Sequence, residues 1–460
     1  MKFIIFGSGL CYRNFKHHIK NEDIVCFVDN NREKQGTCVD GRPVISLEEA
    51  DFSGCDYVLV FIVRYQPAVE QLRRLGAGEE KIRIFYELGE MLGMEAMVRT
   101  SGGMEPFSRW SDSSAGKQVM LVAHELTRNG VAVVLMHMAM LLEKMGYRVV
   151  VASLFGGGLE EELGQQGIAC IPDLGLFYRS ERFRKAESDM AFVVLGTIGL
   201  ADVAESLSGT GVPVIWWIHE SNDRDFQDFP LIAGSQFRYC AGGRRVADRF
   251  HQYYPDWEIR KLLYFLPDRP FRKSCQGRRF RVAVIGALSY RKGQDIFVKA
   301  VRMLPEEKRA DVDFDLVGTE KEPVPGLDQA LSDCPQLHVL GEMTQSGLEE
   351  YFTGLDILVC PSRDDPMPVV VTQAMEYGIV CIVSDQTGQS EYISHGRDGF
   401  VFESGNVPEL GAILMYCMEN RNILSGIGAR SRQIYDDFFS ETAMELHLGE
   451  IINRCSEITV

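Results

Sequence analysis

Two adjacent aspartates, Asp364 and Asp365, precede an apolar, helix-forming stretch in the run PSRDDPMPVVVTQAMEYG, residues 361–378. Asp365 is predicted to lie on the loop after a strand, and Gln373 about two turns into the following helix. The unpaired N–H groups and the positive dipole at the start of that helix can bind a diphosphate. Asp365 could then accept hydrogen bonds from sugar hydroxyls. The alternative is that the two aspartates only cap the helix.

The elements that must position these residues follow a repeated pattern. A β-branched strand, a glycine-containing turn and helical periodicity occur together at residues 2–9, 118–130 and 280–293. Each start is typical of a parallel, Rossmann-like α/β unit, so we predict an α/β protein with three such units. The predicted domains are 1–95, a small accessory domain, then 117–268 and 269–436, with a Ser- and Gly-rich linker at 96–116.

A longer run, PSRDDPMPVVVTQAMEYGIVCIVSDQTGQSEYISHGRDGFVF at residues 361–402, resembles the signature of the retaining glycosyltransferase family 4. In that family a loop acid, seven residues and a second acid precede Ala-Met and a glycine. The stretches VAHELTRNGVAVVL, WWIHE and RKGQDIFVKAV follow in the family's order, so the resemblance extends from residue 117 to about 440. It implies GT-B architecture, in which two Rossmann-like domains face each other across a ligand cleft. It also implies that a C-terminal helix, residues 437–460, packs back on the domain at 117–268.

The resemblance implies a role for four residues of the cleft. Asp365 takes the place of the first acid, which contacts the transferred sugar, and Gln373 takes the place of the second, which holds the nucleotide ribose. Both depart from the usual glutamate. Asp365 is one methylene shorter, and the loss of charge-assisted hydrogen bonds at the neutral Gln373 predicts about tenfold weaker donor binding. Lys292 would neutralise charge on the leaving diphosphate. Arg291 would supply the cation that the family often carries at the position of Ala287; without the resemblance, Arg-Lys-Gly is an exposed turn.

Two further positions come from the N-terminal half of the resemblance. His219 would face the reacting sugar and change protonation near neutral pH, with Glu220 either fixing its tautomer or simply beginning the next loop. Gly130 matches the glycine of the first loop, which lets the donor phosphate approach the backbone. Val131 stands where the family commonly has alanine.

The remaining candidates are expected to line the donor. They are the helix-start residues Met367, Pro368 and Val369, the loop residues Gly388 and Glu391, and Glu342 with Met343 beside the nucleotide base. An ordinary turn or core contact explains each of Gly388, Glu391, Glu342 and Met343 almost as well.

The first α/β unit partly imitates a dinucleotide fingerprint. Gly7 and Gly9 follow a strand, and Asp29 ends the next strand, but Tyr12 occupies the position of the third glycine. This arrangement disfavours pyrophosphate approach and hence a nicotinamide oxidoreductase. The stretch also resembles the small Rossmann-like domain that precedes some sugar acyltransferases, so residues 1–95 are expected either to bind a sugar nucleotide or to act in docking or oligomerisation.

The composition bounds the function. The 460 residues are 45% hydrophobic and 25% charged, and no run approaches the roughly 20 apolar residues needed to span a bilayer. The start MKFIIFGSG lacks a secretory signal, and the twelve cysteines form no Cys-x-x-Cys pair, so we expect a cytoplasmic protein without disulfides or structural zinc. The formal charge of −17 argues against general nucleic-acid binding.

One segment, residues 238–281, is basic against this background, with twelve Lys or Arg and four acids. Its interleaved aromatic residues fit peripheral contact with an anionic membrane surface or an anionic acceptor. A solvated helix face combined with core aromatics explains the same pattern.

These observations predict a retaining, metal-independent glycosyltransferase that needs no cofactor. The expected donor is a nucleotide sugar, preferably a UDP-sugar, and the expected acceptor is a glycan, lipid-linked or protein-linked chain in bacterial surface polysaccharide or glycoprotein assembly. Because Asp365 and Gln373 depart from the family pattern, a non-catalytic partner that keeps the binding site is the alternative.

Overall fold

The described part of the chain forms two compact units. The computed structural model describes residues 1–63, 65–112, 117–227, 229–268 and 279–456. One unit consists of Met1–Val214 with Ile232–Gln236, and the other of Ile215–Leu231 with Phe237–Val460. Within the described ranges, no helix combines the length and apolar character required to cross a bilayer.

The first unit begins with a six-stranded sheet in the order β3-β4-β2-β1-β5-β6. Strand β1 pairs in parallel with β2 and β5, and only the short β3 runs antiparallel, to β4. The elements are β1 Phe3–Phe6, α1 Leu10–Phe15, β2 Ile24–Val28, β3 Cys38–Val39, β4 Arg42–Ile45, β5 Tyr57–Val60, α2 Gln66–Arg74, β6 Ile82–Ile84 and α3 Leu88–Met91.

The rest of the first unit is built on strands in the order β12-β9-β10-β11-β7-β8. Strand β9 is the centre, because it pairs in parallel with both β10 and β12 and its apolar residues are fully buried. The elements are β7 Met97–Thr100, β8 Gly103–Pro106, α4 Phe107–Ser111, β9 Gln118–Glu125, α5 Gly130–Lys144, β10 Arg148–Phe155, α6 Leu159–Gln165, β11 Ala169–Ile171, α7 Glu181–Ser188, β12 Phe192–Leu195 and α8 Ala201–Leu207.

The segment predicted as a linker, 96–116, is ordered structure over its described part. Strands β7 and β8 form an antiparallel hairpin, and Arg99 of β7 pairs with Cys170 of β11. Helix α4 buries Phe107 and Trp110. The linker prediction is therefore wrong here, because the Ser and Gly residues mark the turn of a hairpin that two large aromatic side chains anchor. Residues 113–116 lie outside the described part.

The second unit contains the β13-β14-β15 strands and a six-stranded parallel sheet in the order β18-β17-β16-β19-β20-β21. Its elements are β13 Val214–Ile218, α9 Asp223–Gln227, β14 Phe237–Ala241, α10 Arg244–Tyr253, β15 Ile259–Lys261, β16 Phe280–Ile285, α11 Gln294–Met303, α12 Glu306–Arg309, β17 Val312–Val317, α13 Leu327–Asp333, β18 Leu337–Gly341, α14 Gln345–Thr353, β19 Ile357–Cys360, α15 Val369–Glu376, β20 Val380–Ser384, β21 Phe400–Phe402, α16 Val407–Glu419, α17 Arg421–Phe438 and α18 Glu441–Ser456. The predicted α/β class is confirmed.

The parallel sheet places the candidate residues of this unit at one edge. Because all of its strands run in the same direction, the loops that follow their carboxyl ends emerge together, which is where open α/β sheets bind ligands. Lys292 follows β16, Glu342 follows β18, Asp365 follows β19 and Gly388 follows β20.

The basic segment, 238–281, owes its aromatic content largely to the core. Tyr239, Phe250, Tyr264 and Phe265 are buried, so these four rings do not form a surface that could insert into a membrane. Several of its cations are already paired with acids, as Lys261 is with Glu391 at 2.9 Å. The basic residues Arg269, Arg272, Lys273 and Arg278 lie outside the described residues.

The partial dinucleotide fingerprint of the first unit is occupied by the protein's own side chains. Tyr12 is buried, packs edge-on against Phe27, and donates its hydroxyl to Asp40 at 3.0 Å. Asp29 accepts hydrogen bonds from the Ser8 hydroxyl at 2.6 Å and from Lys34 at 2.9 Å. These contacts use the carboxylate that would otherwise bind a ribose.

Candidate functional site

Lys292 and Asp365, predicted to act together, are in direct contact. Lys292 ends a 3₁₀ turn, Tyr290–Lys292, after β16, and Asp365 lies on the loop between β19 and α15. The Lys292 Nζ and Asp365 Oδ2 atoms are 2.5 Å apart, and the Asp365 side chain is only 9% exposed. Since a buried carboxylate requires a partner, this ion pair fixes both side chains at the sheet edge.

The acidic loop before the apolar helix α15 does not cap that helix. Pro368 occupies the N-cap position, no side chain caps the helix, and its first turn contains no acid. The interpretation that Asp364 and Asp365 merely cap α15 is therefore wrong. The first N–H groups of α15 receive no side-chain cap. They point out of the N-terminal end of the helix, which the acidic loop precedes.

Arg291 adds a second cation beside the same carboxylate. Its Nη1 atom donates to the Asp364 carbonyl oxygen at 2.6 Å and lies 3.9 Å from Asp365 Oδ2. The Arg291 side chain is 49% exposed. The two adjacent cations thus exceed the charge of the one acid that they both approach, which favours binding of a further anion.

Gly293 allows this turn to approach the acidic loop closely. Its φ is +72°, and a Cβ at this position would lie 2.0 Å from the Pro361 carbonyl oxygen. The Arg363 N–H also donates to the Arg291 carbonyl at 2.8 Å. Only glycine satisfies both the left-handed backbone and the contact.

Asp364 is held by residues that the sequence analysis did not identify. Its Oδ1 accepts hydrogen bonds from Arg245 at 3.0 Å and from the Ser221 hydroxyl at 3.1 Å. Arg245 also donates to Gln386 Oε1 at 2.8 Å. Arg245 belongs to the basic segment, and its spacing from Asp364 in the sequence gives no signal of an ion pair.

The loop after β20 is bound to the acidic loop. Asp365 donates its N–H to the Gln386 carbonyl at 3.1 Å and accepts from the Gly388 N–H at 2.9 Å. A Cβ on Gly388 would lie 1.7 Å from the Pro366 carbonyl oxygen. Gly388 therefore lies beside Asp365, and the contact demands glycine. Gln389, which the sequence analysis missed, is buried and donates to the Pro368 carbonyl at 2.8 Å.

Glu391 lies at the end of the same loop and is engaged elsewhere. Its Oε1 is 2.9 Å from Lys261 Nζ, which also donates to the Tyr392 hydroxyl at 2.9 Å. The structure thus brings Gly388 to the acidic loop and places Glu391 in an ion pair with the basic segment.

The start of α15 contains the remaining donor-type candidates. Met367 is buried, and its Cε would be 2.8 Å from a Cβ on Gly243. Val369 is the first residue of α15 after the N-cap Pro368. Gln373, the fifth residue, is half-buried and slightly more than one turn from the start, not the two turns predicted.

His219 follows the end of β13, and its environment corrects the prediction that it titrates near neutral pH. Burial lowers the pKa of His219 to about 3, because a desolvated imidazole disfavours the charged form. Its ring lies against Trp217, and a Cβ on Gly242 would be 2.6 Å from its Nδ1. His219 is therefore a neutral imidazole at physiological pH.

The hydrogen-bonding capacity of His219 is only partly used. Among the described residues, none hydrogen-bonds to its buried Nε2. The Glu220 carboxylate accepts from the backbone N–H of His219 at 3.1 Å. Two residues further on, Ser221 contacts Asp364, so the loop that carries His219 is bound to the acidic loop.

Glu342, Met343 and Gly130 lie apart from this network. Glu342 is exposed and accepts from the Thr319 hydroxyl at 2.9 Å, and Met343 is half-buried beside it after β18. Gly130, in the first unit, is the exposed first residue of α5, which Asn129 caps through a 2.9 Å hydrogen bond to the Ala132 N–H. Their predicted roles stay predictions.

Solved structures with the same fold agree with this architecture. The crystal structure of Anabaena Alr3699/HepE in complex with UDP-glucose superposes with a TM-score of 0.62 at 16% identity, covering 73% of this chain and 99% of that one. The described elements, with those structures, define a protein of GT-B fold.

Family comparisons give the same class. Residues 269–434 match the family described as Glycosyl transferases group 1, residues 115–231 match Glycosyl-transferase family 4, and residues 1–83 match C2185-like, N-terminal. The first two of these regions match glycosyltransferase models, in agreement with the sequence resemblance.

Curated relatives align over part of the chain. The amylovoran biosynthesis glycosyltransferase AmsK of Erwinia amylovora is 23% identical over 184 residues, which are 38% of this chain and 44% of that protein. The N,N'-diacetylbacillosaminyl-diphospho-undecaprenol alpha-1,3-N-acetylgalactosaminyltransferase of Campylobacter jejuni is 26% identical over 152 residues, 33% of this chain and 39% of that protein. The chain thus spans less than half the length of both relatives.

Proposed function

We propose that the protein is a retaining glycosyltransferase that moves a sugar from a nucleotide sugar, preferably a UDP-sugar, to a glycan, lipid-linked or protein-linked acceptor. The observation that carries this proposal is the joining of Lys292, Arg291 and Asp365 beside the uncapped start of α15. The relatives named for amylovoran biosynthesis and for an undecaprenol-linked acceptor support bacterial surface polysaccharide or glycoprotein assembly as the process.

The leaving group is the first chemical requirement. When the bond between the sugar and the diphosphate breaks, negative charge develops on the phosphate oxygens, and preorganised cations stabilise it. Lys292 and Arg291 are such cations, because the Gly293 turn and the Asp364 carbonyl hold them in place. The N–H groups at the start of α15 would add hydrogen bonds to the same oxygens. We therefore propose that the transfer needs no resident metal or other cofactor.

The sugar is the second requirement. Asp365 would accept hydrogen bonds from its hydroxyls while remaining bound to Lys292, since a carboxylate offers two oxygens and about four acceptor sites. His219 would bind a hydroxyl through Nε2 as a neutral imidazole, so it positions the sugar and does not transfer a proton. Gln373 would bind the ribose through a neutral amide.

The stereochemical outcome, retention in this proposal, depends on which face of the sugar the acceptor attacks. The acceptor hydroxyl would attack the same face of the oxocarbenium-like sugar that the diphosphate leaves. A phosphate oxygen of the leaving group would take the hydroxyl proton, so the new glycosidic bond and the released nucleotide diphosphate balance the reaction.

A panel of radiolabelled nucleotide sugars tests the proposal. The full chain is incubated with UDP-glucose, UDP-galactose, UDP-N-acetylglucosamine and GDP-mannose, and transfer to added glycans and hydrolysis are both measured. We expect turnover with at least one UDP-sugar, unchanged by added Mg²⁺, and a product anomer, read by NMR, that matches the donor.

Two variants sharpen the result. Lys292→Ala should reduce turnover at least a hundredfold, in line with about 2.7–4 kcal/mol for removal of one charge-stabilising group. Lys308→Ala is the matched control, because Lys308 is a partly exposed lysine of α12 that is paired with Glu419, and it should retain full turnover. Nucleotide binding without turnover of any donor would instead support the non-catalytic partner, which the Asp365 and Gln373 replacements favour.

A further inference from the structure

A cluster of three potential metal ligands lies in the first unit, outside the site described above. His17 and His18 end the 3₁₀ turn that follows α1, and Asp173 lies on the loop after β11. One ligand atom of each residue lies within 4.8 Å of the others. The cluster therefore joins the N-terminal sheet region to the second α/β region of the same unit.

The junction around the cluster is closely packed. The Phe15 ring lies 5.4 Å from that of Phe155, and the Arg179 guanidinium lies 4.8 Å from the Tyr86 ring centre. A Cβ on Gly175 would lie 2.7 Å from the Phe15 ring. Packing on both sides thus fixes the position of the His18 turn relative to the Asp173 loop.

Two ligand atoms of the cluster have bonding capacity that the described protein does not use. His18 Nε2 is buried and, among the described residues, has no hydrogen-bond partner. Asp173 occupies the N-cap position of the 3₁₀ turn Leu174–Leu176, yet its carboxylate does not cap that turn. The two side chains are 17% and 30% exposed.

The spacing of these two atoms suits a metal ion better than a hydrogen bond. His18 Nε2 and Asp173 Oδ2 are 3.5 Å apart, beyond the usual range of 2.7–3.2 Å for an N–H···O hydrogen bond. Two ligands about 2.1 Å from a tetrahedral zinc ion are about 3.4 Å apart. The pair is therefore already at the separation that such an ion requires.

We propose that His17, His18 and Asp173 form a Zn²⁺ site, with water in the fourth position, in contrast to the expectation of no structural zinc that the cysteine pattern gives. Two imidazoles and one carboxylate suit zinc and its borderline neighbours, whereas Ca²⁺ and Mg²⁺ prefer oxygen ligands alone. The His17 ring now lies 3.8 Å from that of His18. Because His17 is exposed, its ring can turn toward the ion without leaving a packed position.

The bound ion would clamp the junction. His18 and Asp173 are 155 positions apart in the chain, since 173 − 18 = 155, so the unfolded chain does not bring them together. An ion that binds only the folded state stabilises it by mass action. Zinc should therefore raise the melting temperature of the first unit and resist separation of the N-terminal sheet from its neighbour.

Metal titration of the full chain tests the site. Protein stripped with a chelator and dialysed is titrated with Zn²⁺ by calorimetry and with Co²⁺ by visible absorption, where a tetrahedral site gives an intense d–d band. We expect one ion per chain, that band, and a rise in melting temperature on zinc addition. His18→Ala and Asp173→Asn should each weaken binding at least tenfold and abolish the rise.

The control is His447→Ala, since His447 is an exposed histidine of α18 and should bind zinc like the parent chain. Circular dichroism without metal establishes whether each variant folds. If His18→Ala does not fold, the binding result for Asp173→Asn alone decides the test. If no zinc binds, or if the parent chain and the variants bind it equally, the proposal is wrong. His18 and Asp173 would then form only a weak ion pair. The nucleotide-sugar site is separate, so unchanged turnover in these variants distinguishes the two proposals.

Discussion

Replacement of Gly293 by alanine provides a direct test of how the cationic turn is positioned. The new Cβ would lie 2.0 Å from the Pro361 carbonyl oxygen, a separation that must open to at least 3.0 Å. The turn and the acidic loop must therefore part by about 1 Å. Lys292 adjoins Gly293, so its 2.5 Å contact with Asp365 should be lost or displaced.

Gly341→Ala is the matched control. Gly341 has a φ of +69°, close to that of Gly293, and ends β18 of the same sheet, but a Cβ there meets no atom within 4 Å. Both variants therefore bear the left-handed backbone penalty of roughly 1–2 kcal/mol, and only Gly293→Ala adds the collision. The difference in activity between the two variants therefore reports the effect of the close contact between Gly293 and Pro361.

The assay is UDP binding by calorimetry, followed by turnover with the accepted donor. We expect Gly341→Ala to retain both within about twofold. A 1 Å displacement of catalytic groups can reduce the rate about a hundredfold, so Gly293→Ala should lose turnover by about that factor and bind UDP more weakly. If both variants bind and turn over equally, the positioning of Lys292 by this turn is refuted.

The remaining predictions concern His219 and Arg245. Burial lowers the pKa of His219 to about 3, so below about pH 6.5 the unfolded chain takes up a proton on this imidazole that the folded chain excludes. The free energy of unfolding should therefore fall as pH falls from about 6.5 towards 3, by up to about 1.4 kcal/mol per pH unit. The melting temperature of His219→Gln should therefore fall less between pH 7.5 and 5.5 than that of the parent chain, and equal falls would contradict the buried neutral imidazole. Arg245→Met removes hydrogen bonds to Asp364 and Gln386 and should lower kcat/KM about tenfold, whereas Arg244→Met, a change at an exposed neighbour, should not; equal effects would exclude a positioning role.

The fold was predictable where burial produces continuous apolar runs. The starts predicted at residues 2–9, 118–130 and 280–293 contain strands β1, β9 and β16. Strand β19 ends at Cys360, directly before Pro361. Proline lacks the N–H that would continue the ladder. The structure of segment 96–116 was not predictable in this way, because a short hairpin with Gly at its turn has the composition of a linker. Its anchoring aromatic residues are too few to produce a hydrophobic periodicity.

The candidate site was predictable only where residues are near one another in sequence or match a family motif. Lys292, Asp365 and Gly388 fall on such positions, and the structure joins them. Arg245 and Asp364 are 119 positions apart, so only the folded chain reveals their ion pair. The burial of His219 likewise depends on packing, here on the backbone of Gly242 against its ring.

The two adjacent aspartates have different partners and therefore different tasks. Asp364 reaches Arg245 and Ser221, whereas Asp365 reaches Lys292. An incoming diphosphate must therefore share Lys292 with a carboxylate that already binds it. Arg291 donates to a neutral carbonyl and is half exposed, so it can turn to the phosphate at lower electrostatic cost. We infer that Arg291 makes the first contact with the diphosphate and that Lys292 then binds it while remaining paired with Asp365.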